Sequence, residues 1–350
     1  MYKFGTKLMR VLPAERAHNM TIKALQAGLG PIAPQTAPPD LGVSTGGLTL
    51  PNPVGLAAGF DKNAQVPSAM LAAGFGFVEC GTVTPRPQGG NPKPRLFRLT
   101  EDRAVINRMG FNNGGLDAFK SRLEKRRGRD GIIGANLGAN KDSDDRIGDY
   151  VTGLRALWGL PDYFTVNISS PNTPGLRGLQ EAGAMDDLLG RISEARAALA
   201  GDMPSVPIFL KVAPDLDFTQ IDRIVEQARH YGMNAIIVSN TTIARPKSLQ
   251  SKHKGESGGL SGAPLFEAST EILKEFASAA NGSIDLIGVG GIETGAQAYA
   301  KIRAGAKAVQ LYSALVYFGP GLVMDIRRDL ASRVRADGFR TVAEAVGADL

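Results

Sequence analysis

Cysteine is almost absent from this sequence. Cys80 is the only one, which excludes an internal disulfide, leaves no thiolate set for an iron–sulfur cluster and points to a reducing compartment. Histidine is scarce too: His18, His230 and His253 show none of the paired spacings of zinc sites, so no catalytic metal is expected. No apolar run approaches the roughly 18 residues of a membrane span, and Arg10 and Pro13 interrupt the one N-terminal stretch resembling a signal-peptide core. The expectation is a protein neither secreted nor transmembrane. A G-x-G-x-x-G turn is missing throughout, which argues against an open doubly wound sheet built around a dinucleotide. No low-complexity tract interrupts the 350 residues, and a hydrophobic content of 43% allows a sizeable core.

What the chain has in plenty is glycine, 43 residues, which suits a fold with many tight strand-to-helix turns. Short apolar runs alternate with helical stretches beyond residue 50, at 54–58, 77–82, 132–137, 163–168, 208–212, 235–239, 284–289 and 308–311. Their near-continuous hydrophobicity is what strands buried on both faces require. Residues 221–231 and 294–303 instead carry apolar side chains at three- and four-residue steps, the pattern of amphipathic helices. Eight such strands with helical crossovers predict a (β/α)8 TIM barrel over residues 41–350, preceded by a short N-terminal helical extension at 1–40. Residues 43–50 read as a small hairpin capping the lower end of the barrel. The charged stretch 120–130 (KSRLEKRRGRD) reads as a solvated helix end with cations near its C-terminus, and no nucleic-acid partner is assigned to it.

Barrel active sites lie at the C-terminal ends of the strands, and there the sequence turns polar. The first run ends in Ala58, Gly59, Phe60, Asp61 and Lys62, the second in Gly81 and Thr82, the third in Asn136, and the fourth in Asn167, followed by Ser170 and Asn172. Lys211 lies in the fifth run, and Ser239, Asn240 and Thr241 end the sixth. Gly290 and Gly291, then Tyr312 and Ser313, follow the last two, where barrels build phosphate sites from backbone amides. Asn107, Asn112, Asn136, Asn167, Asn172 and Asn240 each offer donors and an acceptor, which match the alternating edge of a planar imide ring; turn chemistry would account for one or two of them. Lys62 and Lys211, if buried, need an anion such as a ligand carboxylate or the charge on a reduced flavin. Ser170 sits in the proline-stiffened segment 167–174 (NISSPNTP) with no histidine nearby in sequence. That argues against an acyl-transfer triad and leaves proton abstraction beside a carbonyl, with a neighbouring hydroxyl and water carrying the proton away.

These segments carry a family likeness. AGFDK (58–62), GTVTP (81–85), NRMGFNN (107–113), NISSPNTP (167–174), SNTT (239–242), GGLSG (258–262) and GVGGI (288–292) resemble the dihydroorotate dehydrogenases over almost the whole chain, specifically the class 2, membrane-associated, quinone-reducing type. The resemblance implies FMN held by Ala58, Gly59, Phe60, Asp61, Lys62, Thr82, Asn136, Asn167, Lys211, Ser239, Gly262, Gly291, Tyr312 and Ser313. It implies dihydroorotate contacted by Lys62, Asn107, Arg108, Met109, Gly110, Phe111, Asn167, Asn172, Asn240 and Thr241. Ser170 would remove the C5 proton while C6 delivers hydride to the flavin, with Thr173 as a candidate relay. Class 1 members resemble one another in using cysteine as this base, whereas Cys80 here lies inside the second strand and reads as core. Ser239 stands where many members have threonine, a departure that keeps the hydroxyl.

Residues 1–40 hold Lys3, Lys7, Arg10, Arg16 and Lys23 against Glu15 and Asp40, half of the chain's formal charge of +6. Lys3, Lys7 and Arg10 share one helical face beside Phe4, Leu8 and Val11, and Ile22, Leu25 and Leu29 repeat the spacing after Pro13, so two short amphipathic helices are predicted. A basic face beside an apolar one suits packing on the barrel as well as it suits anionic lipid headgroups. The class 2 resemblance favours a membrane-facing vestibule for quinone, with His18 and Arg103 as candidate lining residues. The expectation is an FMN-dependent monomer, peripheral on the cytoplasmic face of the cell membrane, oxidising dihydroorotate to orotate with quinone in de novo pyrimidine biosynthesis. The alternatives are another acceptor, fumarate or a partner subunit, and a flavin-free barrel lyase forming a Schiff base at Lys211.

Overall fold

The computed structural model describes residue 6 and residues 9–34, 39–173, 175–201 and 205–350. Its barrel strands are β1 (Val54–Leu56), β2 (Phe77–Val83), β3 (Ile132–Leu137), β4 (Tyr163–Asn167), β5 (Ile208–Val212), β6 (Ala235–Val238), β7 (Asp285–Val289) and β8 (Ala308–Leu311). Each is parallel to its neighbours, and β8 pairs back onto β1 to close the ring. Every predicted apolar run is one of these strands. β2, β4 and β5 are buried at every position, which is why runs rather than alternations marked them.

The connecting helices begin where the sequence offers caps. Asp217 accepts the Gln220 N–H while the Gln220 side chain returns to the Asp217 N–H, a capping box that starts helix Phe218–His230. Thr294 caps helix Gly295–Arg303 by accepting the Gln297 N–H.

Side chains alternate along each strand, so the barrel interior fills in layers. At the bottom lie the rings of Phe77, Tyr163 and Phe209, with Tyr163 stacked 4.6 Å from Phe209 and 6.4 Å from Phe77. Glycines make room for them: a Cβ on Gly55 would overlap the Phe77 ring, one on Gly134 the Tyr163 ring, and one on Gly46 the Phe209 ring. Gly46 is the turn of the predicted hairpin, Val43–Thr45 against Leu48–Leu50, and its N–H donates to Asp285 Oδ2 at 2.8 Å. The hairpin thus closes the lower end. Above the rings lies a buried polar layer of Glu79, Asn136, Lys211 and Gln310, and above that the mouth.

Two features were not foreseen. An antiparallel sheet, ordered Gly259–Gly262, Ala104–Asn107, Leu96–Leu99, forms at the mouth around its own small core of Phe97, Leu99, Ala104, Ile106, Leu249 and Leu260. Its first strand in sequence and the residue before it hold the N-terminal segment: Arg95 pairs at 2.7 Å with Glu15 of the helix Ala14–Gln26, and Arg98 donates to the carbonyls of Met9 and Leu12 ahead of that helix.

Ile22 and Leu25 are buried as the helical pattern requires, but Leu29 lies beyond the helix and is 71% exposed. The reason is local: Gly28, at φ +78, has already turned the chain. Of the predicted first helix, Lys3, Phe4, Lys7 and Leu8 lie outside the described residues, and Arg10 and Val11 occupy a turn.

The ring layer makes a direct stability prediction. Gly134→Val would force its branched side chain into Tyr163 and should destabilise the protein by about 1–3 kcal/mol or more. Thermal denaturation reads this as a lower Tm, and an unchanged Tm would mean that the floor is loosely packed.

Candidate active site

A cavity of about 510 Å³ opens at the C-terminal ends of the barrel strands and continues beneath the N-terminal helix. Its inner wall is polar and comes from the barrel. Its outer wall is mainly apolar, with Met9, Ala17, Leu25, Leu29, Val316 and Pro320 among its residues.

Most residues singled out from the sequence meet here, although they span Ala58 to Ser313. Ala58, Gly59, Phe60, Lys62, Thr82, Asn167, Ser170, Lys211, Ser239, Gly262, Gly291, Tyr312 and Ser313 all line the cavity. So do Asn107, Met109, Gly110, Phe111, Asn112, Asn172, Asn240 and Thr241.

Four do not line it. The Asp61 carboxylate turns away to accept the N–H groups of Gln65 and Val66, both at 2.7 Å, and so fixes the loop that presents Phe60 and Lys62. Asn136 is fully buried one layer down. Arg108 pairs with Glu256 at 2.8 Å and lies over the Phe97 ring. Thr173 is buried, and its hydroxyl has no hydrogen-bond partner among the described residues. Arg103 is likewise no part of the lining: it pairs with Glu293 at 2.9 Å, and the arginines on the cavity wall are Arg10 and Arg98.

The polar side chains are held by one another. Thr82 Oγ1 donates to Asn136 Oδ1 at 2.6 Å, and Asn167 Nδ2 reaches Thr82 Oγ1 at 3.1 Å. Ser169 Oγ donates to Asn167 Oδ1 and accepts from Asn240 Nδ2, both at 2.8 Å. Ser170 Oγ accepts the Asn172 N–H at 3.2 Å, and Asn172 Nδ2 donates to Asn107 Oδ1.

Burial shapes the charged groups. Burial lowers the Lys211 ammonium's pKa, and the carboxylate opposing this is Glu79, 4.0 Å away. Burial also brings Lys62 down to about 8, although Glu15 and Asp61 act in the other direction. His18 stands edge-on to Phe60 at 5.6 Å, and its pKa falls to about 3, first from burial and then from the Lys62 charge.

The donor set suits a phosphorylated planar cofactor. Gly262, Gly290 and Gly291 bring bare main chain to the wall beside Ser313, the arrangement that phosphates favour. Gly291, at φ +71, passes so close to the backbone of Phe266 that no Cβ fits. Lys211 supplies a cation on the cavity wall, backed by Glu79 at 4.0 Å, and Asn112 Oδ1 is a buried acceptor without a partner among the described residues.

Glu79 and Arg98 were missed from the sequence, and both left a trace. A carboxylate inside the unbroken apolar run Phe77-Val78-Glu79-Cys80 is anomalous unless the barrel interior is polar at that height. Arg98 breaks an alternating Leu96-Phe97-Arg98-Leu99 pattern that reads, in retrospect, as an edge strand.

Comparison with known proteins agrees with this geometry. The profile of the dihydroorotate dehydrogenase family matches residues 40–334. The chain is 56% identical over 354 residues to a dihydroorotate dehydrogenase (quinone) of Novosphingobium aromaticivorans, covering 99% of each chain. It is 52% identical over 350 residues to one of Parvibaculum lavamentivorans, covering all of this chain and 99% of the relative. A ligand-free crystal structure of the Eimeria tenella dihydroorotate dehydrogenase superposes with a TM-score of 0.90 at 41% identity, covering 96% of this chain and 99% of that one.

The His18 environment fixes a pH effect. Between about 3 and 6.5 the unfolded chain binds a proton that the folded one resists, so this group makes stability rise with pH across that window and contributes nothing above it. His18→Phe, which keeps a ring, should flatten the acid side of the Tm-versus-pH curve relative to the unmodified protein. Parallel curves would refute a neutral, buried His18.

Proposed function

The chain belongs to the dihydroorotate dehydrogenase family, and on that premise we propose that it oxidises dihydroorotate to orotate with a quinone as electron acceptor, a step of pyrimidine biosynthesis. The observation that carries the reading is the single cavity, polar inside the barrel and mainly apolar beneath the N-terminal helix. A polar reductant and an apolar oxidant can both reach one redox group there. Family membership displaces the flavin-free lyase alternative.

FMN, when bound, accepts a hydride and passes two electrons on. The residues fitted to hold it are Ala58, Gly59, Thr82, Asn167, Lys211, Ser239, Gly262, Gly291, Tyr312 and Ser313, with Asn136 acting from behind Thr82 and Asn167. Phe60 adds an apolar face at the boundary between the two halves.

We assign substrate recognition to Lys62, facing the carboxylate, and to Asn107, Asn172, Asn240 and Thr241, facing the imide edge, with the 107–111 segment as cover. Ser170 Oγ takes the C5 proton. Its orientation is fixed by the Asn172 N–H, and as the substrate proton arrives its own proton must leave. Thr173, whose hydroxyl has no partner among the described residues, is the assigned relay.

Residues 1–40 are assigned to quinone access from a membrane surface on the cytoplasmic side. Val11, Met20, Leu29 and Ile32 are exposed in this part of the chain, close in sequence to the exposed cations Arg16 and Lys23. Among the described residues no helix is long and apolar enough to cross a membrane.

The purified protein should be yellow, bleach on anaerobic addition of dihydroorotate and recover its colour with quinone. Recovery with fumarate but not quinone would overturn the acceptor. Ser170→Ala should slow bleaching by about 10²- to 10⁴-fold and leave recolouring by quinone unchanged; a normal bleaching rate would remove Ser170 from its role.

Lys62 predicts a pH limb for ligand binding. Below about 8 it is charged and pairs with an anion, and as pH rises through that value the free site loses its cation. Orotate affinity, read from the visible spectrum, should therefore fall above about pH 8 and be weak and flat in Lys62→Met. A flat profile in the unmodified protein would overturn the assignment.

A further inference from the structure

Glu79 touches no part of the cavity, yet the polar wall converges on it. Its carboxylate is fully buried in β2 and accepts from Asn136 Nδ2 at 2.7 Å, Gln310 Nε2 at 2.8 Å and the Tyr163 hydroxyl at 3.3 Å, with Lys211 Nζ at 4.0 Å. Three donors and a nearby ammonium leave it only the role of acceptor.

That role propagates. With Nδ2 committed to Glu79, Asn136 must turn Oδ1 toward the mouth, where it accepts from Thr82 Oγ1 at 2.6 Å and Asn167 Nδ2 at 3.2 Å. Asn167 Oδ1 then accepts from Ser169 Oγ, which in turn accepts from Asn240 Nδ2. The chain ends at the Thr241 N–H, which donates to Asn240 Oδ1 at 2.7 Å and can only donate. A donor-only group at one end and an acceptor-only group at the other fix the direction of every link.

We propose that Glu79 is a positioning residue for the reaction assigned above: it sets the donor–acceptor sense of the cavity-wall asparagines and holds the counter-charge for Lys211 in place. The proposal rests on the dehydrogenase reading only for its kinetic arm. Glu79 is the one charged side chain that acts on Lys211 among the described groups, and it acts against burial. Without it, Lys211 would lose its proton at lower pH and no longer face, as a cation, the negative charge that builds up during substrate oxidation.

The test is Glu79→Gln, which keeps the shape but removes the charge and puts a donor NH2 in place of one of the two acceptor oxygens. In the FMN-loaded enzyme at saturating dihydroorotate, where the Lys62 limb of binding drops out, the alkaline limb of the bleaching rate should move to lower pH by about one to three units, the usual effect of losing an opposite charge at this range. A uniform drop in rate with an unmoved limb would overturn the proposal. A second arm does not depend on the reaction. The double variant Glu79→Gln/Lys211→Gln should melt above Glu79→Gln alone, because a lone buried ammonium is removed with its partner. No such recovery would also overturn it, even if the single variant folds poorly. Failure of the unmodified protein to bleach would sink the dehydrogenase reading and leave the melting comparison to decide the role of Glu79.

Discussion

Closure of the β-sheet is the constraint from which everything else follows. Because β8 pairs with β1, all eight strands must end at one rim, so residues as distant in sequence as Ala58 and Ser313 share a wall. Closure also creates an interior that side chains must fill. The rings at the bottom do so with apolar bulk, and Glu79, Lys211, Asn136 and Gln310 do so above them as a polar layer in which Glu79 accepts from Asn136 and Gln310 and faces the Lys211 ammonium. The polar layer is tolerable only because its members pair; a single unpaired charge at that depth would cost several kcal/mol.

The barrel was legible because strands buried on both faces leave continuous apolar runs, and the rim was legible because those runs stop at polar residues. The sheet at the mouth was not. Its strand Leu96–Leu99 is only half buried, and Ala104–Asn107 finds its second partner, Gly259–Gly262, roughly 150 residues later, a pairing that no local pattern announces. Leu29 continued the spacing of Ile22 and Leu25 across a glycine that ends the helix, an instance of C-cap chemistry overriding periodicity.

At the site the same distinction holds. Spacing and residue type identified groups that face the cavity, but could not separate them from Asp61, Asn136 and Arg108, whose polar ends serve neighbours instead. A motif records that a residue is needed without recording which way it points. Asp61 shapes a loop through two amides, and Arg108 ties the mouth sheet to the segment around Glu256.

The two halves of the cavity are drawn from unrelated stretches of chain. The inner half is built by strand ends whose geometry the barrel dictates, whereas the outer half draws on one short helix, held by Arg95 and Arg98 at the edge of the mouth sheet, and on the segment around Val316 and Pro320. A substitution in the outer half therefore reshapes one wall of the cavity and leaves the strand ends that form the other in place. A compound lodged in that half would be gripped by side chains that the barrel does not hold in place, and its fit would report on the helix and its neighbours and not on the strand ends.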